Sequence, residues 1–284
     1  MSHPAWYDWV EDKTGRRPQS HQPLSGGCIA ALYRLSMPRG DDLVLKMAEA
    51  DAMALEARML TYLAKKSDLP VPKVIACDDG KLLMTFIETS GPLGTSGERD
   101  AADRLAALHA VTAPQYGFDY DTVIGGIPQP NSWIEDWPSF FRDRRLLYMA
   151  DLCLDKGLID AAERKRFDVL AGKLGDIIGD ASAPGLIHGD MWGGNVLARD
   201  GAVAGFVDPA IYYADPEIEL AFSTLFNTFG DAFFARYAEH RPIRAGFFEE
   251  RRDLYNLWHL LNHVWLFGRG YWSGVATTLA KFGC

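Results

Sequence analysis

The chain has 284 residues, 48% hydrophobic and 24% charged, a balance that predicts an ordered globular protein with a sizeable core and excludes extensive disorder. A formal net charge of −9 disfavours general binding to nucleic acid or anionic membrane, so any nucleotide would be held by local cations and backbone amides. No apolar run is long enough for a membrane span, Met1-Ser2-His3-Pro4-Ala5-Trp6 shows no secretory pattern, and Cys28, Cys77, Cys153 and Cys284 form no C-x-x-C pair, which together predict a cytoplasmic protein without a zinc or disulfide framework.

In chain order, Pro4 to Lys13 reads as an amphipathic helix stopped near Gly15. Leu24-Ser25-Gly26-Gly27-Cys28 is a glycine-rich turn between strands, the second being Ile29 to Leu35, and Leu43 to Met47 is a third strand. Ala50 to Lys66 carries Met53, Leu55, Met59, Leu60 and Leu63 at helical spacing without Gly or Pro. Val74-Ile75-Ala76 and Leu82 to Ile87 are strands around the Asp79-Gly80 turn. Ser90-Gly91-Pro92-Leu93-Gly94 is a breaker-rich connection, which divides the chain into a strand-rich part, 1–90, and a mainly helical part, 91–284. Beyond it, Ser96 to Val111 reads as a helix, and Tyr120 to Asn131 as an irregular Gly/Pro-rich segment. Ile134 to Leu154 reads as a helix interrupted near Pro138, and Ala161 to Ile178 as one helix. Pro216 to Phe229, Phe247 to Phe267 and Tyr271 to Phe282 complete a helical end, and no internal repeat is visible. The class is α+β.

Between those helices lies His188-Gly189-Asp190-Met191-Trp192-Gly193-Gly194-Asn195, followed by Val207-Asp208-Pro209. Short apolar runs at Leu186-Ile187, Val196 to Ala198 and Val203 to Val207 would present the polar loop and the terminal aspartate to one cleft. This spacing suits metal-dependent phosphoryl transfer, which needs one carboxylate near the acceptor hydroxyl and oxygen ligands that hold magnesium against phosphates. Asp190 fits the first role, and Asn195 with Asp208 the second. Lys46 ends an apolar strand and Glu56 lies on the next helix, the arrangement of a strand lysine that contacts nucleotide phosphates and pairs with a helix glutamate. Glu49 is the rival partner, but it sits too near the strand end to reach back. Gly26 and Gly27 would let backbone N–H groups approach phosphates, although a two-glycine turn is also an ordinary hairpin. Cys28 in that turn is a candidate thiol switch or a small inert side chain.

The H-G-D-x-x-x-x-N loop, the triplet Asp208-Pro209-Ala210 and the two-part layout resemble the aminoglycoside-phosphotransferase and choline-kinase branch of the protein-kinase-like fold. Within that branch, several longer segments are similar to the fructosamine-3-kinase (ketosamine-3-kinase) family. They are Gly126 to Asn131 running into Asp136-Trp137 and Phe140 to Leu146, His188 to Asn195 with its Trp192, Asp208 to Tyr213, and Leu261-Asn262-His263 before Gly270-Tyr271.

The resemblance implies two lobes: a small antiparallel-sheet N-lobe with one long helix, and a larger helical C-lobe. It implies Asp190 as the base, Asn195 and Asp208 on Mg2+, and Lys46 with Glu56 as the phosphate-anchoring pair of an ATP site. Thr85-Phe86-Ile87 would be the hinge whose backbone meets adenine, and His188 would orient the backbone around the aspartate. The implied reaction transfers the γ-phosphoryl group of ATP to the 3-hydroxyl of a ketosamine, a sugar adduct of an amine or protein lysine, and leads to deglycation. Trp192 would face the sugar or brace the loop as a core aromatic. Gln129 and Asn131 would line the acceptor cleft or serve as turn residues. A kinase of the same fold acting on an aminoglycoside, choline or homoserine-like acceptor is the alternative, and a non-catalytic nucleotide-binding regulator is a third class. The acceptor and the oligomeric state are not legible in the sequence.

Overall fold

The computed structural model describes residues 4–24 and 30–284; Gly26, Gly27 and Cys28, expected in a phosphate-binding turn, lie outside the described residues. The chain divides into two compact units, one built from the chain up to Ala101 with Gly194–Pro209, the other from Ala102–Gly193 with Ala210–Cys284. In the first, α1 (Trp6–Thr14) stops at Gly15, whose φ of 68° suits a residue without Cβ. Five strands follow: β1 (Ser20–Pro23), β2 (Ala31–Ser36), β3 (Leu43–Met47), then, after α2 (Ala50–Lys66), β4 (Val74–Asp78) and β5 (Lys81–Thr85). They form one antiparallel sheet in the order β1-β2-β3-β5-β4. Strand β1 is the strand expected ahead of the glycine-rich turn, although Ser-His-Gln-Pro is exposed throughout; it lies on a sheet edge, where no apolar alternation is demanded.

The pleat sorts side chains to two faces. Leu43 and Leu45 join Leu35, Leu83 and Val10 of α1 in one apolar cluster. Val44 points the other way, into a cluster with Leu82, Met84 and Met53, Ala57 and Leu60 of α2. The first unit therefore has an apolar layer on each face of its sheet. α3 (Thr95–His109) follows, and the division between the two units falls within it, after Ala101.

In the second unit β6 (Thr122–Ile124) and β7 (Ile127–Gln129) make a small hairpin inside the segment read as irregular. Gly125 and Gly126, with φ of 54° and 80°, supply the two left-handed residues of its turn. Strands this short carry too few residues for a period to show. Pro138 begins a helix where an interruption was expected: α4 (Trp137–Phe141) is capped by the Asp136 carboxylate, which accepts from Ser139 N at 2.9 Å. In the first helical turn a missing N–H costs nothing. A π turn at Arg142–Leu146 then leads into α5 (Leu147–Asp155). The single helix read over Ala161 to Ile178 is two, α6 (Ala161–Ala171) and α7 (Leu174–Ile178), divided at Gly172.

β8 (Gly185–Ile187) precedes the polar loop. β9 (Val196–Arg199) and β10 (Ala202–Phe206) form a hairpin that belongs to the sheet unit despite its distance in sequence. Its β10 amide at Phe206 donates to Pro70 O at 2.7 Å, and a Cβ on Gly205 would meet Ile87 at 2.5 Å. β11 (Tyr212–Ala214) returns to pair with β8. α8 (Glu217–Leu225), α9 (Asp231–His240), α10 (Arg252–Phe267) and α11 (Trp272–Lys281) complete the second unit; α9 is not among the helices read from sequence. Among the described residues no helix is long and apolar enough to cross a membrane.

Candidate functional site

In β3 the alternation that buries Val44 puts Lys46 on the same face, toward α2. On α2, Glu56 lies within the apolar stripe of Met53, Ala57 and Leu60, so its carboxylate is delivered beneath the sheet. The two meet: Lys46 Nζ lies 2.9 and 2.8 Å from the Glu56 carboxylate oxygens. The same ammonium reaches Asp208 Oδ1 at 2.7 Å. Asp208 follows β10 with φ of 53°, left-handed backbone that is costly for an L-residue and turns its carboxylate back to Lys46. Burial works against the Lys46 charge, but Glu56 and Asp208 outweigh it and hold the ammonium pKa above its usual value. Burial also pushes the Glu56 carboxyl up to about 7, with Lys46 pulling it down and Asp208 pushing it further up. Asp208 keeps 40% of its side chain exposed, so it can serve a ligand as well as Lys46.

Asn195 ends a 3-10 turn at Gly193–Asn195 and is 4% exposed; its carbonyl accepts from Val207 N at 3.1 Å, which ties it to the residue before Asp208. At the expected hinge, two of three amides are already used: Thr85 N donates to Lys73 O at 3.0 Å and Phe86 N to Asp42 O at 3.1 Å. Among the described residues, only the Ile87 amide of these three has no carbonyl partner. The Phe86 ring is covered by the Arg34 guanidinium at 4.0 Å.

In the second unit, pairing of β8 with β11 holds the base of the polar loop, and Ala210 N donates to His188 O at 2.8 Å. Gly189 has φ of 86°, and a Cβ there would lie 2.1 Å from Ala210 O. Only glycine fits. His188 Nδ1 accepts from Asp190 N at 3.4 Å, in keeping with an orienting role, and Trp192 N donates to Asp190 O at 3.1 Å. Met191 is fully buried while its neighbour Trp192 is 43% exposed, so the loop is anchored by one side chain and presents the next.

Gln129 and Asn131, expected at the acceptor, lie in the interior. Gln129 Nε2 donates to Thr122 Oγ1 at 2.8 Å and to Ala210 O at 3.1 Å. Asn131 Nδ2 donates to Thr122 Oγ1 and Tyr120 O, and its Oδ1 accepts from Arg145 at 2.7 Å. Gln129 thus braces the backbone at Ala210 and Asn131 the buried Arg145; the Pro-flanked sequence could not show that the segment folds inward as a hairpin.

Sequence reading missed the groups that hold the loop from behind. Glu219 of α8 is 2% exposed, and its carboxylate accepts from Gly189 N at 2.6 Å, His188 N at 3.3 Å and His109 Nε2 at 2.8 Å. Burial alone would raise its pKa, but the hydrogen bonds from His109 and the Gly189 amide hold it below the usual carboxylate range. The available signal was an acidic residue in the otherwise apolar stretch Ile218 to Phe222.

A profile of the fructosamine kinase family matches residues 3–282. The chain belongs to that family. Among relatives of this fructosamine kinase, a Synechocystis protein named as a probable ketoamine kinase is 34% identical, the match covering 92% of this chain and 90% of the other. A chloroplastic protein-ribulosamine 3-kinase of Arabidopsis thaliana is 31% identical over 91% of this chain and 81% of its own length. A Thermobifida fusca crystal structure assigned as a fructosamine-3-kinase superposes with a TM-score of 0.88 at 28% identity, covering 98% of each chain. An ADP-bound aminoglycoside phosphotransferase superposes at 0.66 with 14% identity over 96% of this chain and 95% of the other, which shows a shared kinase-like fold and no more. Membership makes this α+β protein an ATP-dependent phosphotransferase.

Proposed function

We propose that this fructosamine kinase transfers the γ-phosphoryl group of ATP to the 3-hydroxyl of a ketosamine, a fructosamine or ribulosamine adduct of a small amine or a protein lysine. The observation that carries the reading is the Lys46, Glu56 and Asp208 cluster in a chain whose family and named relatives act on ketoamines. Lys46 would bind the α- and β-phosphates, with Glu56 fixing its position and Asp208 close enough to exchange its contact for a metal.

Among the described residues no group of three or more His, Cys, Asp and Glu is arranged to hold a metal. The donors present, the Asp208 carboxylate and the Asn195 amide, fit Mg2+, which takes oxygen ligands and fills its remaining positions with phosphates and water. Bound there, the ion would neutralise charge developing on the phosphates. Asp190 would accept or orient the proton of the acceptor hydroxyl, on a backbone held by His188 and Gly189. Trp192, exposed beside it, would face the sugar and the cationic amine of the adduct. The Ile87 amide is the donor left for adenine at the hinge.

The test is Mg2+-dependent ADP release with fructose-lysine and ribulose-lysine as acceptors, with Asp190→Ala in parallel. Turnover abolished by the substitution and dependent on the ketosamine supports the reading. Nucleotide binding without turnover on either adduct would redirect it to the other hydroxyl acceptors of the fold.

A further inference from the structure

A buried chain of hydrogen bonds runs through the second unit behind the catalytic loop. Tyr237 of α9 places its hydroxyl 2.7 Å from His109 Nδ1, and the other ring nitrogen, Nε2, lies 2.8 Å from Glu219 Oε2. The carboxylate then takes the amides of Gly189 and His188. Tyr237, His109 and Glu219 are all at most 2% exposed, and they come from three helices, α9, α3 and α8. Such a chain links three packed elements to one backbone turn.

Its direction follows from the donors. The loop amides only donate, so Glu219 must accept and is of most use ionised. A buried carboxylate needs donors to stay ionised, and His109 Nε2–H is the side-chain one. With that proton on Nε2, Nδ1 is left to accept from the Tyr237 O–H. Tyr237 remains a donor at neutral pH, since burial raises its pKa further above the usual value. Each group thereby fixes the hydrogen-bonding role of the next.

We propose that His109 is a positioning residue for phosphoryl transfer: with its tautomer set by Tyr237, it holds the Glu219 carboxylate on the Gly189 and His188 amides and so fixes the backbone that carries Asp190. His109 touches neither nucleotide nor acceptor in this role. Its effect belongs in kcat, because the carboxylate it holds is bonded to the amides of the residues that lead into Asp190. Glu219 is displaced when its donor is lost, and a shift of the loop near 1 Å is enough to cost about 100-fold in rate.

The inference rests on the ketosamine-kinase reading, and the experiment separates the two. His109→Phe, His109→Gln, Tyr237→Phe and Glu219→Gln are compared in the full-length protein by steady-state kinetics and by hydrogen exchange of the peptide containing Gly189. Glutamine can place an N–H where Nε2 stands; phenylalanine cannot. Expected are a fall in kcat of about 10- to 100-fold in His109→Phe with the KM for ATP within about threefold, recovery of most of that loss in His109→Gln, and faster exchange at Gly189 in His109→Phe than in His109→Gln. Tyr237→Phe should show a smaller loss, and His109→Phe with Glu219→Gln together should cost little more than either alone. A folded His109→Phe enzyme with wild-type kcat, or a Gln variant as slow as the Phe variant, would overturn the proposal. The exchange measurement needs no acceptor, so unchanged Gly189 protection in His109→Phe would overturn it even if the kinase reading failed; should the Phe variant not fold, Tyr237→Phe and His109→Gln carry the same comparison.

Discussion

Gly189→Ala is the substitution whose consequence is most directly set by geometry. The residue has φ of 86°, and a Cβ would stand 2.1 Å from Ala210 O and 2.7 Å from Ala210 C. Left-handed backbone costs an alanine about 1–2 kcal/mol. Ordinary contact begins near 3.4 Å, so the Ala210 carbonyl must withdraw by about 1.3 Å. That movement strains the bond from Ala210 N to His188 O, worth about 1 kcal/mol. The expected loss is about 2–4 kcal/mol, a fall in Tm of about 5–15 °C for a protein of this size. Asp190 is the next residue, so kcat should fall about 100-fold in the surviving folded protein. Thermal unfolding and ADP release with a ketosamine measure the two parts. Gly175→Ala is the control, since Gly175 is exposed in α7 with nothing within 4 Å of its added Cβ, and alanine there should be neutral or stabilising by up to about 1 kcal/mol. A Gly189→Ala enzyme with Tm and kcat close to wild type would show that the loop does not need this backbone conformation.

Three further outcomes follow from the same contacts. Trp192→Ala should raise the acceptor KM about tenfold while the KM for ATP and the Tm stay near wild type, because the ring is 43% exposed; equal changes in both KM values would count against a sugar-facing role. Asn131→Ala leaves Arg145 and Thr122 short of partners in the interior and should lower stability by about 2–4 kcal/mol in denaturant titration, with the acceptor KM unchanged if the residue only braces the core. Asp215 is buried, and burial raises its carboxyl to about 6, with Arg244 pulling it down. The folded state thus holds this proton more tightly than the unfolded chain does, so this group's contribution to stability is largest below pH 4 and is lost as pH rises toward 6. Asp215→Asn should flatten that part of the stability profile between pH 4 and 6, and an unchanged slope would refute the assignment.

The extent to which this site could be read from sequence depends on how local its physics is. The alternation in Leu43 to Met47 and the stripe on Ala50 to Lys66 were enough to bring Lys46 to Glu56, because strand and helix periodicity act residue by residue. The H-G-D-x-x-x-x-N spacing marked the loop, because few side chains can hold a metal and accept a hydroxyl proton. Gln129 and Asn131 show where this stops: their types and proline neighbours suit a turn or an acceptor site, and only the β6–β7 hairpin, whose strands are three residues each, turned them inward against Ala210 and Arg145. Glu219 and His109 are 110 residues apart, and no local pattern joins them. Sequence by itself determined the α+β class, the sheet-side lysine pair and the chemical character of the loop, all consequences of periodicity and residue chemistry. Tertiary structure alone decided that Asp208 turns back to Lys46, that the β9–β10 hairpin joins the sheet unit, and that α3, α8 and α9 meet behind Gly189, because burying a charge demands partners wherever in the chain they lie.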